Sequence, residues 1–408
     1  MALRHCHNAS DFEVAARRRL PKPLFDYVAG GADDETTKRA NVAAFDRYQL
    51  VPRYLQDIRE IDLRRTVLGC ELAWPVILAP TGMSRMFHPD GECGVASAAE
   101  AAGVGYALST MASASIEAIA QVSRGPKIYQ LYLLADDGLN FAAIDRAKAA
   151  GYDAICLTVD TVVAGNRERD LRSGLTIPPR LGIGSLLQFA RRPGWCRDHL
   201  LGGKFSMPNI APPGAAATDI STLAAFFAQK MERHISWLRV QQLVRHWGGP
   251  FAIKGLQCAA DAVLAAGHGV SAVIVSNHGG RQLDGTAATI DLVADIVDAA
   301  DGRVEVILDG GVRRGTHVLK ALAMGARACM IGRPYVYALA AFGQPGVVRL
   351  LELMRAETER GLALLGCSSV DQVGRRHLRL AAQVPAFLDE RPISEPAIAQ
   401  HQMHWTDR

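Results

Sequence analysis

The feature that most constrains this chain is the regular recurrence of short apolar runs, each stopped by a polar or glycine-rich turn. They are Trp74–Ala79, Gly103–Leu108, Lys127–Tyr132, Ala154–Val159, Phe251–Lys254, Ala272–Ser276, Val304–Asp309 and Ala328–Ile331. Runs this short, apolar at consecutive positions, read as strands buried on both faces. Between most of them lies an alanine-rich amphipathic stretch, such as Gly91–Ala102, Leu139–Ala150, Ala259–Ala266 and Thr316–Met324. Gly103, Gly151, Gly267 and Gly325 are expected to close those helices. Alternation of strand and helix through eight units predicts an α/β fold with parallel strands covered by helices. Eight such units predict a single closed (β/α)8 barrel of the TIM type. An open doubly wound sheet is the other candidate, but no GxGxxG follows the first strand, where a dinucleotide fold would carry it.

Two parts fall outside the repeat. Residues 1–70 read as helices with a short β-rich lead-in placed to plug the barrel bottom. The barrel itself is expected over residues 71–385, with an insertion at 178–222 and a tail at 386–408. The insertion, Pro178–Thr222, is rich in proline, glycine and basic residues and follows the fourth strand. With 49% of its 408 residues apolar, the chain can fill a large core. Its net charge of +4 and lack of a basic face with interleaved aromatics argue against nucleic-acid binding. Eight scattered cysteines without a CxxC read as reduced, mostly buried thiols, not as a disulfide framework or a metal site. The N-terminus is polar (Arg4, His5, His7, Asp11), and no apolar run approaches the ~20 residues of a membrane span. A cytoplasmic protein is expected, or one attached peripherally to the cytoplasmic face of the inner membrane.

Barrels of this type gather reactive groups at the carboxyl ends of their strands. There this chain places Pro80-Thr81-Gly82-Met83, then Ser109-Thr110-Met111, then Gln130 and Tyr132. Thr158 and Asp160 follow, with Arg167 a few residues on, and then Lys254. The sixth strand runs into Ser276-Asn277-His278-Gly279-Gly280-Arg281-Gln282-Leu283-Asp284. Histidine accepts a proton near neutral pH, and an arginine three residues on can grip a carboxylate with two prongs. That pairing points to acid–base chemistry on a small anionic substrate. Asp160 reads either as a helix N-cap or as the carboxylate that orients a histidine. Lys254 is either a rim lysine in water or the partner of a negative group, such as a cofactor ring gaining charge on reduction. Asp309-Gly310-Gly311-Val312-Arg313 and Gly332-Arg333-Pro334 end the last two strands. They read as a phosphate site, the alternative being tight turns with solvated arginines; the pairing across both strands favours phosphate.

These motifs resemble the FMN-dependent L-2-hydroxy acid dehydrogenases and oxidases, a family that includes glycolate oxidase, L-lactate dehydrogenase and L-mandelate dehydrogenase. The likeness rests on SNHGGRQLD at 276–284, LDGGVRRGT at 308–316, IGRP at 331–334, YQLY at 129–132 and LTVDT at 157–161. It runs from Leu20 to Cys367 and weakens in the insertion and the tail. The resemblance implies His278 as catalytic base with Asp160 as its orienting partner. It implies Arg281, Arg167 and Tyr27 around the substrate carboxylate, and Tyr132 at the substrate hydroxyl. Pro80, Thr81, Gly82, Ser109, Gln130, Thr158, Lys254 and Ser276 would line the flavin. Asp309, Gly310, Gly311, Arg313, Gly332 and Arg333 would hold its ribityl and phosphate. No metal is implied. The implied reaction takes two electrons and a proton from a Cα–OH to give a 2-oxo acid and reduced FMN.

Three positions depart from the glycolate oxidase pattern. Gly82 stands for an alanine, Met111 for a tryptophan and Ala164 for a leucine. All three predict a roomier pocket, hence a lactate- or mandelate-like substrate. Gly82 and the phrase Ala164–Asp170 also resemble the dehydrogenases, which implies a quinone or cytochrome acceptor; a peroxide-forming oxidase and a more distant FMN-barrel activity are the alternatives. A homotetramer is implied by the family. The apolar and arginine-bearing stretch Ser185–Leu201 reads as a membrane contact, or equally as a lid or subunit-packing segment.

Overall fold

The computed structural model describes residues 2–175, 182–201, 205–210 and 231–381. The expected tail at 386–408 and the remainder of the insertion lie outside the described residues. Helices α1 (Ala9–Arg19), α2 (Lys22–Ala29) and α3 (Thr36–Ala43) lead to strand β1 (Tyr48–Leu50) and the hairpin β2 (Arg65–Val67) and β3 (Cys70–Leu72). Eight parallel strands then close a barrel: β4 (Val76–Leu78), β5 (Gly105–Ser109), β6 (Lys127–Tyr132), β7 (Ala154–Thr158), β8 (Phe251–Leu256), β9 (Ala272–Val275), β10 (Glu305–Asp309) and β11 (Ala328–Ile331). Strand β12 (Leu378–Leu380) returns antiparallel to β1.

The helices after β4, β5 and β6 are α4 (Gly91–Ala101), α5 (Ile116–Val122) and α6 (Asp137–Ala149). After β7 come α7 (Glu168–Ser173), α8 (Ile183–Ala190), α9 (Pro193–Leu201) and α10 (Trp237–Trp247). The circuit ends with α11 (Ala259–Gly267), α12 (Thr289–Ala300), α13 (Gly315–Ala323) and α14 (Arg333–Leu364), the last broken at Gly343. The expected strands are all present, two with identical ends and the others with ends shifted by at most two residues. One helix closure differs: Gly267 is still helical, and the left-handed turn (φ 78°) falls at Gly269.

Side-chain parity along the strands explains both the core and the site. Ala107, Ile128, Ala154, Cys156, Ala252, Ile274, Ile307 and Met330 share one buried cluster inside the barrel. The alternate residues, such as Leu108, Tyr129, Ile155, Leu157, Ile253, Val273 and Leu308, pack outward against the helices. Many inward residues are alanine, which leaves room at the lower end. Val67, Leu68 and Leu72 of the β2–β3 hairpin join the interior cluster and fill it from below. The hairpin spans residue 70, so a boundary drawn there would cut it.

The described parts of the insertion, 182–201 and 205–210, pack against the barrel and its lead-in. Trp195 turns inward, donating its Nε1 hydrogen to the Met86 carbonyl (2.9 Å) and packing on Phe189. Arg192 donates to the Leu20 carbonyl at 3.1 Å. Residues 205–210 are pinned by Asn209, which accepts from Ile116 N (3.1 Å) and donates to the Ala114 carbonyl (2.9 Å). That anchor holds Met207 and Ile210 in full burial.

Candidate active site

Continuing the inward row upward by two residues per step changes apolar side chains to polar ones. Ser109, Gln130, Tyr132, Thr158, Lys254, Ser276 and Asp309 occupy these positions. Ladder register sets Ser109 beside Gln130, Tyr132 beside Thr158, and Thr158 beside Lys254. Ser109 Oγ donates to Gln130 Oε1 at 3.0 Å, whereas the buried Gln130 Nε2 has no partner among the described residues. Lys254 is 4% exposed, so it is no rim lysine in water. Its Nζ lies 2.8 Å from both Ser276 Oγ and Asp309 Oδ2. Ser276 Oγ donates to the same Asp309 oxygen at 2.7 Å and accepts the His278 N–H at 3.0 Å. Burial pulls the Lys254 ammonium down, but Asp309 and Asp160 outweigh it and hold the amine charged, above its ordinary range.

Past β9 the backbone makes three consecutive left-handed residues: His278 (φ 57°), Gly279 (φ 64°) and Gly280 (φ 72°). This turn brings His278 Nδ1 to 2.9 Å from Asp160 Oδ1. The carboxylate can only accept while ionised, so Nδ1 carries the hydrogen and Nε2 is the nitrogen left to take a proton. Burial lowers the His278 pKa, opposed by Asp160. For Asp160, burial acts upward, but His278 and Lys254 outweigh it and keep the carboxylate below its usual range. Asp160 caps no helix, since the next one begins at Glu168 behind Arg167.

Arg281 donates to the Tyr27 (2.6 Å) and Gly30 (3.1 Å) carbonyls through one nitrogen. Its guanidinium carbon sits 4.9 Å over the Tyr27 ring. Arg167 Nε approaches the Arg281 carbonyl at 3.5 Å, so two guanidinium-bearing residues stand together beside the dyad. Burial, and then the neighbouring Arg167, pull the Arg281 pKa down to about 10. Two like charges crowded in a poorly solvated corner favour an anionic ligand.

At the last two strands the arginines behave differently from each other. Arg333, expected at a phosphate, directs its side chain to three carbonyls: Val28 (3.0 Å), Gly279 (2.8 Å) and Gly30 (2.7 Å). It clamps the end of α2 to the His278 turn, and only its main-chain amide, at the start of α14, remains for an anion. Arg313 donates to the Val312 carbonyl (3.0 Å) and has no carboxylate partner among the described residues. Its own N–H is held by His317 Nδ1 (3.3 Å), whose ring stacks on Phe45 at 4.1 Å. Gly311 is obligatory for packing: a Cβ there would fall 1.9 Å from the Asn41 carbonyl. Thr81 Oγ1 pairs with Tyr335 at 2.6 Å, beside Pro80 and Gly82. An orphaned buried amide at Gln130, a charged Lys254 and an uncompensated Arg313 along one rim fit an elongated cofactor with polar acceptors and a phosphate end.

Above this row lies a soft apolar wall. Met83, Met111, Met207 and Ile210 form a separate buried cluster, with Tyr27, Tyr132, Met86 and Phe205 packed on it. A methyl group on Gly82 would meet Met111 Cβ at 2.8 Å and the Met111 carbonyl oxygen at 3.0 Å, so the chain after β4 runs close against the β5 loop here. Ala164 is exposed in the β7 loop and stands outside the cluster. Sequence reading missed Met207 and Asn209, because nothing local marks a residue of the insertion as buried. It also missed Asn41 and Gln282. Asn41 exchanges two hydrogen bonds with Asn277 (2.8 and 2.9 Å) and so fastens α3 to the base of the His278 turn.

Known proteins resemble this chain over most of its length. Residues 16–380 match the family described as FMN-dependent dehydrogenase. Glycolate oxidase of Spinacia oleracea is 40% identical over 371 residues, covering 91% of this chain and 95% of that protein. L-lactate oxidase of a Nostoc species is 39% identical over 377 residues, covering 91% and 98%. Among solved structures, a monotopic membrane protein, (S)-mandelate dehydrogenase, superposes with a TM-score of 0.89 at 32% identity, covering 92% of this chain and 100% of that one. A mandelate oxidase variant gives 0.78 at 36% identity, covering 92% and 99%. With the match running almost from end to end, the chain belongs to the FMN-dependent dehydrogenase family and takes FMN as its cofactor.

Proposed function

We propose that this chain oxidises an L-2-hydroxy acid with an apolar side chain, lactate- or mandelate-like and larger than glycolate, to the 2-oxo acid. The observation that carries this reading is the His278–Asp160 contact of 2.9 Å beside the paired Arg281 and Arg167. A 2-hydroxy acid offers a carboxylate to the arginines and, one carbon away, a hydroxyl to His278 Nε2. Fixing both ends places the Cα hydrogen on one face, an orientation effect worth many powers of ten in rate. His278 takes a proton, and Asp160 stabilises the imidazolium that results. Tyr132 would face the substrate hydroxyl and Tyr27 the carboxylate. Bound FMN supplies the two-electron acceptor. Pro80, Thr81, Gly82, Ser109, Gln130, Thr158 and Ser276 would line its ring, with charged Lys254 favouring negative charge there. Asp309, Gly310, Gly311, Arg313 and the main chain of Gly332 and Arg333 would take the ribityl and phosphate.

The methionine wall supports a side chain with real bulk, because thioethers deform to fit irregular apolar groups. Anaerobic bleaching of the flavin by glycolate, L-lactate, L-mandelate and 2-hydroxyoctanoate tests the substrate. Faster reduction by the larger acids is expected; a clear preference for glycolate would overturn it. Changing Met111 to tryptophan should push selectivity back toward small acids, read as a fall in the mandelate-to-glycolate ratio of kcat/KM.

For the electron acceptor we infer a quinone or cytochrome, supported by Gly82 and by likeness to a membrane-bound dehydrogenase. The second reading, an oxidase, is favoured by the sequence similarity to glycolate and lactate oxidases. Stopped-flow reoxidation of the reduced protein separates them: air reoxidation as fast as turnover means an oxidase. No helix of the described residues is long and apolar enough to cross a membrane. Peripheral attachment through α8 is the companion proposal, supported by its outward-facing leucines.

A further inference from the structure

The loop after β9 carries a residue whose side chain bonds the segment that supplies both the dyad carboxylate and a substrate-corner arginine. Gln282 Nε2 donates to the Asp160 carbonyl at 3.0 Å and to the Val163 carbonyl at 2.8 Å. Its Oε1 accepts from Gly165 N at 3.3 Å and lies 3.5 Å from Arg167 Nη2. Two carbonyls on the nitrogen side and two donors on the oxygen side leave only one orientation for this amide. The two loops also meet backbone to backbone, since a Cβ on Gly165 would fall 2.2 Å from the Arg281 carbonyl oxygen. The stretch from Asp160 to Arg167 has no strand or helix of its own to fix it. One side chain therefore supplies four contacts across a segment with the histidine's carboxylate at one end and a substrate arginine at the other.

We propose that Gln282 is a positioning residue that sets Asp160 and Arg167 in register with His278 and Arg281, so that acid–base chemistry and carboxylate grip are fixed by one amide. The inference rests on the roles given above to His278, Asp160 and Arg167. Losing the donors while keeping length should let the 160–167 segment drift. Asp160 then leaves His278 Nδ1, and Arg167 loses a contact at the same time. The charged groups facing His278 are Asp160, Lys254 and Arg167. Asp160 raises the histidine pKa and the two cations lower it, so weakening the Asp160 contact must move the His278 pKa downward.

The test uses flavin-loaded Gln282→Leu and Gln282→Glu proteins beside the wild type. Both are expected to lose ~10–100-fold in kcat/KM, the scale of a small misplacement at a catalytic site. In Gln282→Leu the acid limb of the kcat/KM profile should move to lower pH; in Gln282→Glu the added carboxylate opposes that shift, and oxalate affinity is the deciding readout. The dissociation constant for oxalate, a non-reacting dicarboxylate followed by its perturbation of the flavin spectrum, should rise by a similar factor. Flavin content should be unchanged. Because Gln282→Glu keeps both length and acceptor oxygens, it remains informative if the leucine protein fails to fold. An unchanged pH limb with unchanged oxalate affinity in either variant overturns the proposal. A wild type whose flavin is bleached by no 2-hydroxy acid overturns the underlying functional reading instead.

Discussion

His278 occupies a backbone conformation that costs an ordinary L-residue ~1–2 kcal/mol, yet asparagine enters it readily. His278→Asn is therefore expected to stay folded and flavin-loaded while turnover falls ~10²–10⁴-fold, the share a general base supplies. His278→Val should lose the same activity and, in addition, ~1–2 kcal/mol of stability in chemical denaturation. Asp160→Asn removes the charge that raises the histidine pKa, so the acid limb of kcat/KM should shift to lower pH while the rate drops. Rate measurements from pH 4 to 8 check both signs, and a limb that stays put would detach Asp160 from the base. Lys254→Met leaves Asp309 buried without its cation, a change expected to cost ~3–5 kcal/mol and to be visible as a lower unfolding midpoint. The rim residues were legible in the sequence because each ends a strand, where parity dictates its direction. Gln282 was not, because its partners are main-chain atoms of another loop, and backbone atoms leave no trace in residue identity.

Loops and helices around the rim act by close approach. Gly165→Ala would drive a methyl into the Arg281 carbonyl and separate the β7 and β9 loops. Loss of substrate turnover with flavin retained is the expected result, checked by visible absorbance alongside steady-state rates. On the other side of the same turn, Asn41→Ala strands the Thr289 N–H, which Asn41 Oδ1 accepts at 3.2 Å, while the Asn277 amide keeps the Ala287 carbonyl and the Gly280 N–H. A cost of ~1–3 kcal/mol per unsatisfied buried group is expected in urea unfolding. Strands and helices were legible from their periodicity, because burial on both faces leaves a continuous apolar run. Docking of α3 on the His278 turn, and of residues 205–210 on the β5 loop, depends on contacts between segments far apart in the chain. Arg333 shows the same limit, since the motif that marks it at a phosphate says nothing of the three carbonyls its side chain reaches.

The whole molecule separates its tasks along the barrel axis, with the β2–β3 hairpin filling one end and the chemistry at the other. On the chemical side, α8 presents Ile183, Leu186 and Leu187, exposed to 81%, 54% and 56%, to the surroundings. Replacing all three with glutamine is expected to abolish sedimentation with vesicles of anionic phospholipid while leaving flavin reduction intact. Equal sedimentation of the triple variant would remove α8 as an attachment surface. Trp195 is unsuited to that task, being turned toward Met86. Parity along the barrel strands has a consequence for how such a chain can vary over time. One residue added or removed within β8 would put Ile253 or Gly255 in the place of Lys254 and turn the ammonium toward the helices. Substitutions inside strands can thus accumulate singly, but changes of length are confined to the loops. A family built on this frame is free to acquire a long connection after β7, and is nearly forbidden to lengthen any strand that ends at the rim.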